Sequence, residues 1–387
     1  MHKITEAIRT QLGPTSEREH SNPIFMTSSF CYEDAEQMRA VFADEIEANI
    51  YSRFVNPNSK ELEQKMAILE GTESAYAVAS GMAAMFATFM GLLQQGDKVL
   101  ACEAIFGSTH TLFTKYLPKF GIQHHYVPVT ATADDWENAI DENVKMIFLE
   151  TPTNPGLDII DLEMVGKIAK KYNIIFVVDN CFATPLIQQP KEFGADIIIH
   201  SGTKWIDGQG RVLGGIICGS KNLIKEIYAF SRSSGPSISP FNAWILSKSL
   251  ETLDVRMERH ASNALYIAEK LENHPKIEWL KYPQLSSHPQ HKIAMRQMKN
   301  GGALVAFNLK GGVEAGRNFL NKLKMLSLTA NLGDTRSIAS HPASTTHAKL
   351  TDEERMKVNI TPGLIRISVG LEHRDDILAD ILQALED

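Results

Sequence analysis

The sequence predicts an α/β fold, with a mostly parallel sheet in a large domain and a smaller C-terminal α+β domain. Two observations lead to this prediction. Up to about residue 220, short apolar runs alternate with helical patterns, as in parallel sheets covered by helices on both faces. Beyond about residue 240, long amphipathic segments are mixed with a few strands. We expect an N-terminal arm over 1–48, a large domain over 49–240 and a C-terminal domain over 241–387.

Local patterns predict the individual elements. A helix is expected over 34–48 in the arm. Pro57 and Gly71 bracket a second helix, with Leu62, Met66 and Leu69 facing inward. Strands or buried apolar runs are expected at 75–79, 99–102, 145–150, 174–179, 197–199, 212–218, 303–309 and 364–371. Further helices are expected from 81 to about 95, at 162–172, 240–273 and 314–324, and from 373 to the C-terminus.

Composition narrows the classes of protein to which the chain can belong. The formal net charge of −7 over 387 residues argues against nucleic acid and an anionic membrane surface as partners. No apolar stretch approaches the roughly 20 residues of a membrane helix, and the N-terminus lacks the apolar core of a signal peptide. The four cysteines, at 31, 102, 181 and 218, show no paired or metal-type spacing. We therefore expect them to be reduced and buried in a cytoplasmic protein.

A lysine at the end of an apolar run is the main candidate for chemistry. The run 197–199 ends before His200, and Ser201, Thr203 and Lys204 follow. Partial burial lowers the pKa of a lysine and makes its amine a nucleophile toward carbonyls, while small hydroxyls and glycine amides suit an anion. Pyridoxal phosphate requires an amine beside an anion cradle. A surface loop lysine and the Ser-x-x-Lys of serine acylases are alternatives, but the Ser-Asp-Asn and Lys-Thr-Gly tripeptides of those acylases do not occur.

Two other turns carry candidate cofactor-binding residues. Asp179 ends an apolar strand, where an aspartate either caps a turn or keeps a pyridine nitrogen protonated. Ser80, Gly81 and Met82 lie between a strand and a helix, which is either a packing turn or an anion site at the helix N-terminus. The dinucleotide motif and the P-loop motif do not occur in the sequence, which argues against both kinds of site.

In combination, the stretches Tyr51–Arg53, Ser80–Met82 and Ser201–Lys204, together with Asp179, resemble the transsulfuration enzymes that depend on pyridoxal phosphate. This family contains cystathionine synthases and lyases, methionine γ-lyase and homoserine-ester sulfhydrylases, and the resemblance runs from about residue 22 to the C-terminus. It implies fold type I of the pyridoxal phosphate enzymes. It also implies that Lys204 binds the cofactor and moves protons, with Asp179 at the pyridine nitrogen.

The resemblance implies roles for further residues around the cofactor. Tyr51 and Arg53 would reach the phosphate in a neighbouring subunit, in a homotetramer of catalytic dimers; surface packing is the alternative. Phe106 would stack on the cofactor ring where the family usually has a tyrosine, so the proton for the leaving group must come from elsewhere; core packing is the alternative. Asn154 would cap a turn, or bind the cofactor's phenolic oxygen or the substrate carboxylate.

The resemblance also indicates the substrates. Arg366 would grip the α-carboxylate of an O-acylhomoserine, with Asn331 beside it, unless it is a solvated strand residue. Residues 207–215 are most similar to the O-succinylhomoserine sulfhydrylases, and Arg211 would attract the second carboxylate unless it pairs with Asp207. We expect sulfide to replace the acyl group and give homocysteine.

Several alternatives to this reaction stay open. Within the family they are a cystathionine γ-synthase, a γ-lyase and an O-acetylhomoserine sulfhydrylase, with cysteine or another thiol as a possible nucleophile. A non-catalytic cofactor-binding protein would be expected to lack Lys204 or Asp179. His341 and His347 have no carboxylate or cysteine partner nearby in sequence, so no metal site is expected.

Overall fold

Two β-sheets organise the protein, in a computed structural model that describes residues 1–43, 45–345, 348, 351–357 and 360–386. The strands are β1 (Ser74–Val78), β2 (Lys98–Cys102), β3 (Gln123–Val127), β4 (Val144–Glu150), β5 (Ile175–Asp179), β6 (Ile197–Ser201), β7 (Gly215–Gly219), β8 (Ile277–Lys281), β9 (Leu304–Leu309), β10 (Ser327–Leu328), β11 (Ile338–Ser340) and β12 (Leu364–Ser368).

Helices lie before, between and after these strands. They are α1 (Lys3–Arg9), α2 (Ala35–Phe42), α3 (Pro57–Glu70), α4 (Gly81–Leu92), α5 (Gly107–Thr111), α6 (Ala133–Asn138), α7 (Leu162–Tyr172), α8 (Thr184–Ile187), α9 (Lys221–Ser234), α10 (Pro240–Leu250), α11 (Leu253–Leu271), α12 (His291–Gln297), α13 (Gly312–Lys322), α14 (Asp352–Lys357) and α15 (Arg374–Leu385). A π-helical turn covers Leu112–Tyr116, and 3-10 turns cover Leu117–Phe120, Pro190–Phe193 and Pro342–Ser344.

The larger sheet is mostly parallel, as the sequence predicts. Among the described residues its seven strands have the order β1-β7-β6-β5-β4-β2-β3, and β7 runs antiparallel to both of its neighbours. Successive side chains of a strand point to opposite faces. In β2, Val99 and Ala101 accordingly belong to one hydrophobic cluster, while Leu100 and Cys102 belong to another. Both faces are therefore covered, which explains why the strands have continuous apolar sequences.

The smaller sheet connects the two halves of the chain through a shared core. In the described part of the chain its order is β10-β11-β12-β9-β8, with β10 and β11 parallel and the other pairs antiparallel. Val305 and Phe307 on β9 pack in a cluster of the C-terminal half. Leu304 and Ala306 face the opposite way and belong to the cluster that also contains Leu100 and Cys102 of the larger sheet. This second contact holds β12 close to the carboxyl ends of the large sheet's strands.

Helix α3 confirms a helix prediction made from local signals alone. Its side chains Leu62, Met66 and Leu69 are buried, and Gly71 ends it in the left-handed conformation with a φ of 68°. A glycine adopts this conformation without the steric penalty of a side chain. The N-cap is Asn56, one residue before the proline that marks the start.

The single helix expected over 240–273 is wrong, because the structure has two helices. Helix α10 ends at Leu250 and α11 begins at Leu253. At the break, the carbonyl of Ser249 accepts hydrogen bonds from the side chains of Arg256 (2.9 Å) and Thr252 (3.2 Å). The backbone N–H of Thr252 also donates to this carbonyl, at 3.2 Å, so three donors satisfy it at the end of the helix, where the chain turns. None of the helices in the described parts of the chain has the length and apolar content that crossing a membrane requires.

The N-terminal arm also differs from the prediction. Helix α2 starts after Asp34, whose side chain caps it, but ends at Phe42 and not near residue 48. Helix α1 was not expected; it buries Ala7 and packs against α3. Helix α4 ends at Leu92 rather than near residue 95 because the next residue is extended. The sequence interpretation also lacked the short strands β3, β8, β10 and β11.

The cysteine prediction is correct in part. All four cysteines are free thiols, and Cys102 and Cys218 are buried. Cys31 is exposed, however, and Cys181 is half-buried because it faces the cavity described below.

Replacing Lys65 with methionine should destabilise the protein by about 3–5 kcal/mol, because the charge of Glu61 would be left buried without its partner. The Lys65 side chain is fully buried, 2.9 Å from Glu61 and 3.0 Å from Glu251. Lys167→Met is the matched control, since this lysine also pairs with a glutamate one turn away, Glu163, but its side chain is 74% exposed. The control should change stability by at most about 0.5 kcal/mol in denaturant unfolding. Equal effects of the two substitutions would contradict this account.

Candidate active site

A cavity of about 310 Å³ lies at the carboxyl ends of β4, β5 and β6, the position expected for a ligand site in an open α/β sheet. Residues from the C-terminal half close it from the opposite side. Ten of the residues that the sequence singles out line this cavity: Ser80, Gly81, Met82, Phe106, Asn154, Asp179, Ser201, Thr203, Lys204 and Arg366.

Lys204 is held at the centre of this group. Its Nζ donates a hydrogen bond to Asn331 Oδ1 at 2.5 Å, and the backbone turn is closed by bonds from Lys204 N–H to the Ser201 carbonyl and from Gly208 N–H to the Lys204 carbonyl. Burial, the largest cause, and the positive charge of Arg366 both lower the pKa of Lys204, while Cys181 opposes them. Both causes increase the fraction of neutral amine, the nucleophilic form. This is not the environment of an ordinary surface lysine.

Asp179 presents a buried carboxyl group to the same cavity. It is 9% exposed, and burial raises its pKa to about 6, opposed by the hydrogen bond that its Oδ1 accepts from the N–H of Cys181 at 2.9 Å. One oxygen of the Asp179 side chain thus caps the turn, which was the alternative role in the sequence analysis. In the part of the chain that the structure describes, no lysine, arginine or histidine forms an ion pair with Asp179, and such a buried carboxylate suits a ligand that brings its own cation, such as a pyridinium nitrogen.

The N-terminus of α4 forms a cradle that fits an anion. Ser80 caps the helix by accepting a hydrogen bond from the N–H of Ala83 at 3.1 Å. A Cβ on Gly81 would lie 2.8 Å from the Cβ of Ser201, and a Cβ on Gly215 would lie 2.0 Å from the Ser80 carbonyl oxygen. Glycine at both positions lets β6, β7 and the helix start approach each other. Unpaired amides of a helix's first turn, with small hydroxyls opposite, suit a phosphate group.

Thr203 and Phe106 also line the cavity. The Thr203 hydroxyl accepts a hydrogen bond from the N–H of Gly214 at 3.3 Å. Phe106 is 43% exposed and lines the cavity, so the core-packing alternative is wrong for its ring. Its backbone N–H donates to Glu150 Oε2 at 2.9 Å.

Sequence reasoning missed Glu150, although it ends β4 just as Asp179 ends β5. The two residues are directly paired across the parallel strands, and both line the cavity. Burial raises the pKa of Glu150 well above its usual range, and the charge of Asp179 adds to the effect. The signal was present in the sequence, because an acidic residue ends each of the two apolar strands.

Arg366 places a buried guanidinium on the C-terminal side of the cavity. It is 7% exposed, so the solvated-strand alternative is wrong. Its Nη1 donates to Asn154 Oδ1 at 2.8 Å and its Nη2 to the Asn331 carbonyl at 3.3 Å, while its buried Nε has no partner among the described residues. Burial lowers the pKa of Arg366 to about 10, partly offset by Glu150. A buried guanidinium with unused donors suits a carboxylate.

Four candidate residues are not among those that line this cavity: Tyr51, Arg53, Arg211 and Asn331, which contacts Lys204 from an adjoining cleft. Tyr51 is exposed, and Arg53 donates to the Arg232 carbonyl and packs over the ring of Phe54, 4.7 Å from its centroid. Arg211 lies in the same adjoining cleft, whose lining includes Thr203 and Leu213 of the cavity wall.

Arg211 holds its own loop in the structure. Its Nε donates to Asp207 Oδ1 at 3.0 Å, and its Nη2 donates to Ser249 Oγ at 2.5 Å. Asp207 is fully buried, so this pair compensates a charge that would otherwise be isolated. The arrangement is the loop-holding alternative of the sequence analysis.

Protein groups engage both ring nitrogens of His341. Its Nδ1 lies 2.7 Å from Ser344 Oγ, and its Nε2 lies 2.7 Å from the Pro362 carbonyl oxygen. His347 lies outside the described residues. Within the described parts of the chain, no group of three or more histidine, cysteine or acidic side chains is arranged to hold a metal ion.

Comparison with known proteins identifies the chemistry for which this site is built. The sequence model of the pyridoxal phosphate-dependent enzymes of Cys/Met metabolism matches residues 4–386. The chain belongs to this family. Its cofactor is pyridoxal phosphate, and the buried amine, carboxyl and anion cradle described above fit the aldehyde, ring nitrogen and phosphate of that molecule.

Individual relatives extend over nearly the whole chain. An O-succinylhomoserine sulfhydrylase of Pseudomonas aeruginosa is 46% identical, over 98% of this chain and 94% of its own length. An L-methionine gamma-lyase of Fusobacterium nucleatum subsp. polymorphum is 44% identical, over 94% and 93%. A solved Campylobacter jejuni structure, described as an O-acetylhomoserine (thiol)-lyase carrying N'-pyridoxyl-lysine-5'-monophosphate, superposes with a TM-score of 0.95 at 36% identity and full coverage of both chains.

Asp179→Asn should stabilise the cofactor-free protein at neutral pH while weakening its affinity for pyridoxal phosphate. The usual pKa of an aspartate is about 4, and in the folded protein it is about 6. The folded state therefore binds more protons than the unfolded state in this window, and wild-type stability falls as pH rises through it. The variant lacks this loss, so at about pH 7 and above it should be more stable by about 3 kcal/mol.

Denaturant unfolding of the two cofactor-free proteins from pH 4 to 8 measures this difference. The stabilities should nearly converge at pH 4, where the wild-type carboxyl is protonated in the folded state and about half protonated in the unfolded state, and a protonated carboxyl resembles the amide. A difference that does not change with pH would contradict the assignment of the shift to Asp179.

Proposed function

We propose that this enzyme replaces the acyl group of O-succinylhomoserine with sulfide, giving homocysteine and succinate in methionine biosynthesis. The observation that carries the proposal is the arrangement of charged groups in one cavity. The Lys204 amine and the Asp179 carboxyl suit the cofactor, and the incompletely bonded guanidinium of Arg366 suits the α-carboxylate of an amino-acid substrate. The choice of ester and nucleophile is supported by the Pseudomonas aeruginosa sulfhydrylase, at 46% identity.

Each residue of the cavity has a distinct part in this proposal. When bound, pyridoxal phosphate supplies an electron sink that makes protons next to the amino group acidic. Lys204 binds the cofactor covalently, and its freed amine then moves protons on the substrate. Asp179 keeps the ring nitrogen protonated, and Phe106 stacks on the ring. The phosphate is held by Ser80, Gly81, Met82, Ser201 and Thr203.

Substrate binding uses the side of the cavity formed by the C-terminal half. Arg366 grips the α-carboxylate, positioned by its hydrogen bonds to Asn154 and Asn331. Asn331 also accepts a hydrogen bond from Lys204, so it links the substrate side to the cofactor side. Arg211 lies in the adjoining cleft, but its guanidinium is engaged by Asp207, so the preference for a succinyl ester does not rest on its charge.

The acidity of the leaving group favours an ester over a thioether as the substrate. Phe106 offers no proton at the position where the family usually has a tyrosine. A carboxylic acid with a pKa near 4 leaves readily as its anion, whereas a thiol with a pKa of about 8.5 is a poorer leaving group and benefits from a proton donor. A ring without an acidic group is therefore compatible with loss of succinate and less suited to the thioether of methionine.

We also propose that the active enzyme is a cytoplasmic homotetramer of catalytic dimers. Tyr51 and Arg53 would reach the cofactor phosphate of the neighbouring subunit. Their positions support this, because Tyr51 is exposed and neither residue lines the cavity of its own chain.

A methionine γ-lyase is the second candidate, because the Fusobacterium nucleatum subsp. polymorphum L-methionine gamma-lyase is 44% identical. Assays with O-succinylhomoserine and sulfide, with the same ester and cysteine, and with methionine alone separate the possibilities. The proposal predicts homocysteine from sulfide as the dominant product. Cystathionine from cysteine would indicate a γ-synthase. Rapid formation of a keto acid and ammonia from methionine would indicate a lyase and overturn the proposal.

Arg366→Lys should lower kcat/KM for the O-acylhomoserine about 10- to 100-fold, mainly through KM, because lysine keeps the charge but loses the planar fork. Arg336→Lys is the matched control, since that arginine already forms a two-point pair with Asp334 and its side chain is 68% exposed. Steady-state kinetics of both variants test the assignment. Similar KM values for Arg366→Lys and wild type would contradict it.

A further inference from the structure

A second buried carboxyl lies beside Asp179 at the end of the cavity assigned to the ring nitrogen. Glu150 is 4% exposed and is the in-register neighbour of Asp179 across β4 and β5. Both side chains line the cavity. The proposed function uses only one of the two carboxyl groups, so the other needs an explanation.

Glu150 makes a specific contact with the segment that carries the proposed stacking ring. Its Oε2 accepts a hydrogen bond from the N–H of Phe106 at 2.9 Å, and the Phe106 carbonyl in turn accepts from His110 N–H in the first turn of α5. Helix α5 has only five residues and no side-chain cap of its own. The carboxyl of Glu150 therefore fixes the point at which the chain turns from β2 into α5.

Two adjacent buried carboxyls do not both ionise easily, because like charges in a site of low polarity repel. The direction of the shifts indicates which one keeps its proton: the pKa of Asp179 is raised to about 6, whereas that of Glu150 is raised well above its usual range. A neutral Glu150 still has a carbonyl oxygen to accept the Phe106 N–H. It leaves Asp179 as the single negative charge at this end of the cavity.

We propose that Glu150 is a positioning residue that seats the Phe106 ring against the cofactor and acts as an uncharged hydrogen-bond acceptor beside Asp179. The inference rests on the stacking role proposed for Phe106 but not on the identity of the ester or the nucleophile. It assigns Glu150 no contact with substrate.

Three variants test this proposal, and each preserves a different feature of the site. Glu150→Gln keeps an uncharged acceptor of nearly the same shape, whereas Glu150→Met keeps the size and loses the acceptor. Phe106→Leu removes the aromatic ring without changing residue 150. The readouts are the dissociation constant of pyridoxal phosphate, titrated into the cofactor-free enzyme, and the circular dichroism of the bound cofactor's visible band, which reports how asymmetrically the ring is held.

Glu150→Met should weaken cofactor binding roughly 10-fold, the loss expected for one hydrogen bond, and reduce the dichroism of the band. Glu150→Gln should stay within about 2-fold of wild type in affinity and keep the dichroism. The decisive comparison is the double variant Glu150→Met/Phe106→Leu. If Glu150 acts through the ring, Glu150→Met should have little further effect once the ring is gone, since coupled residues give non-additive changes.

Two results would overturn the proposal. If the losses of cofactor affinity caused by Glu150→Met and Phe106→Leu multiply in the double variant, Glu150 acts elsewhere, for example on Asp179. A loss in Glu150→Gln as large as that in Glu150→Met would show that the residue acts as a charge. Should Glu150→Met fail to fold, Glu150→Gln alone decides, because an uncharged acceptor must retain both the affinity and the dichroism.

Discussion

The structure depends on holding ionisable groups out of water at the carboxyl ends of one sheet. Lys204, Asp179, Glu150 and Arg366 line a single cavity. Burial shifts the pKa of each group in the direction that favours its neutral form. A bound cofactor and an amino-acid substrate bring groups of opposite charge, so the unfavourable burial in the free protein favours ligand binding.

The fold supplies this environment through long-range packing. Strands β4, β5 and β6 each end in a residue that faces the cavity, and helices on both sheet faces exclude water beneath it. The smaller sheet shares a core with the larger one, which brings Arg366 and the loop of Asn331 to Lys204. Gly81 and Gly215 have no side chains, so the start of α4 can lie directly against β6 and β7. The site is therefore a property of both halves of the chain.

The sequence predicts the features that depend on local patterns and misses those that depend on contacts between distant elements. Asp179 and Lys204 could be found because each follows an apolar run whose end is visible in the sequence. Glu150 also ends an apolar run, but what distinguishes it is its position beside Asp179 on the next strand, which the sequence does not show. The break between α10 and α11 depends on Arg256 reaching back to the Ser249 carbonyl, which no periodicity shows. Whether Arg211 faces a substrate or Asp207 depends likewise on side-chain packing around a loop.

The central claim is that Lys204 is the residue that binds pyridoxal phosphate. Borohydride reduction of the cofactor-loaded protein, followed by proteolysis and mass spectrometry, tests it most directly, because reduction makes the bond between cofactor and amine permanent. The account predicts that the pyridoxyl group is found on the peptide containing Lys204, in proportion to the cofactor bound. Labelling of another lysine, or a cofactor that dissociates fully after reduction, would contradict it.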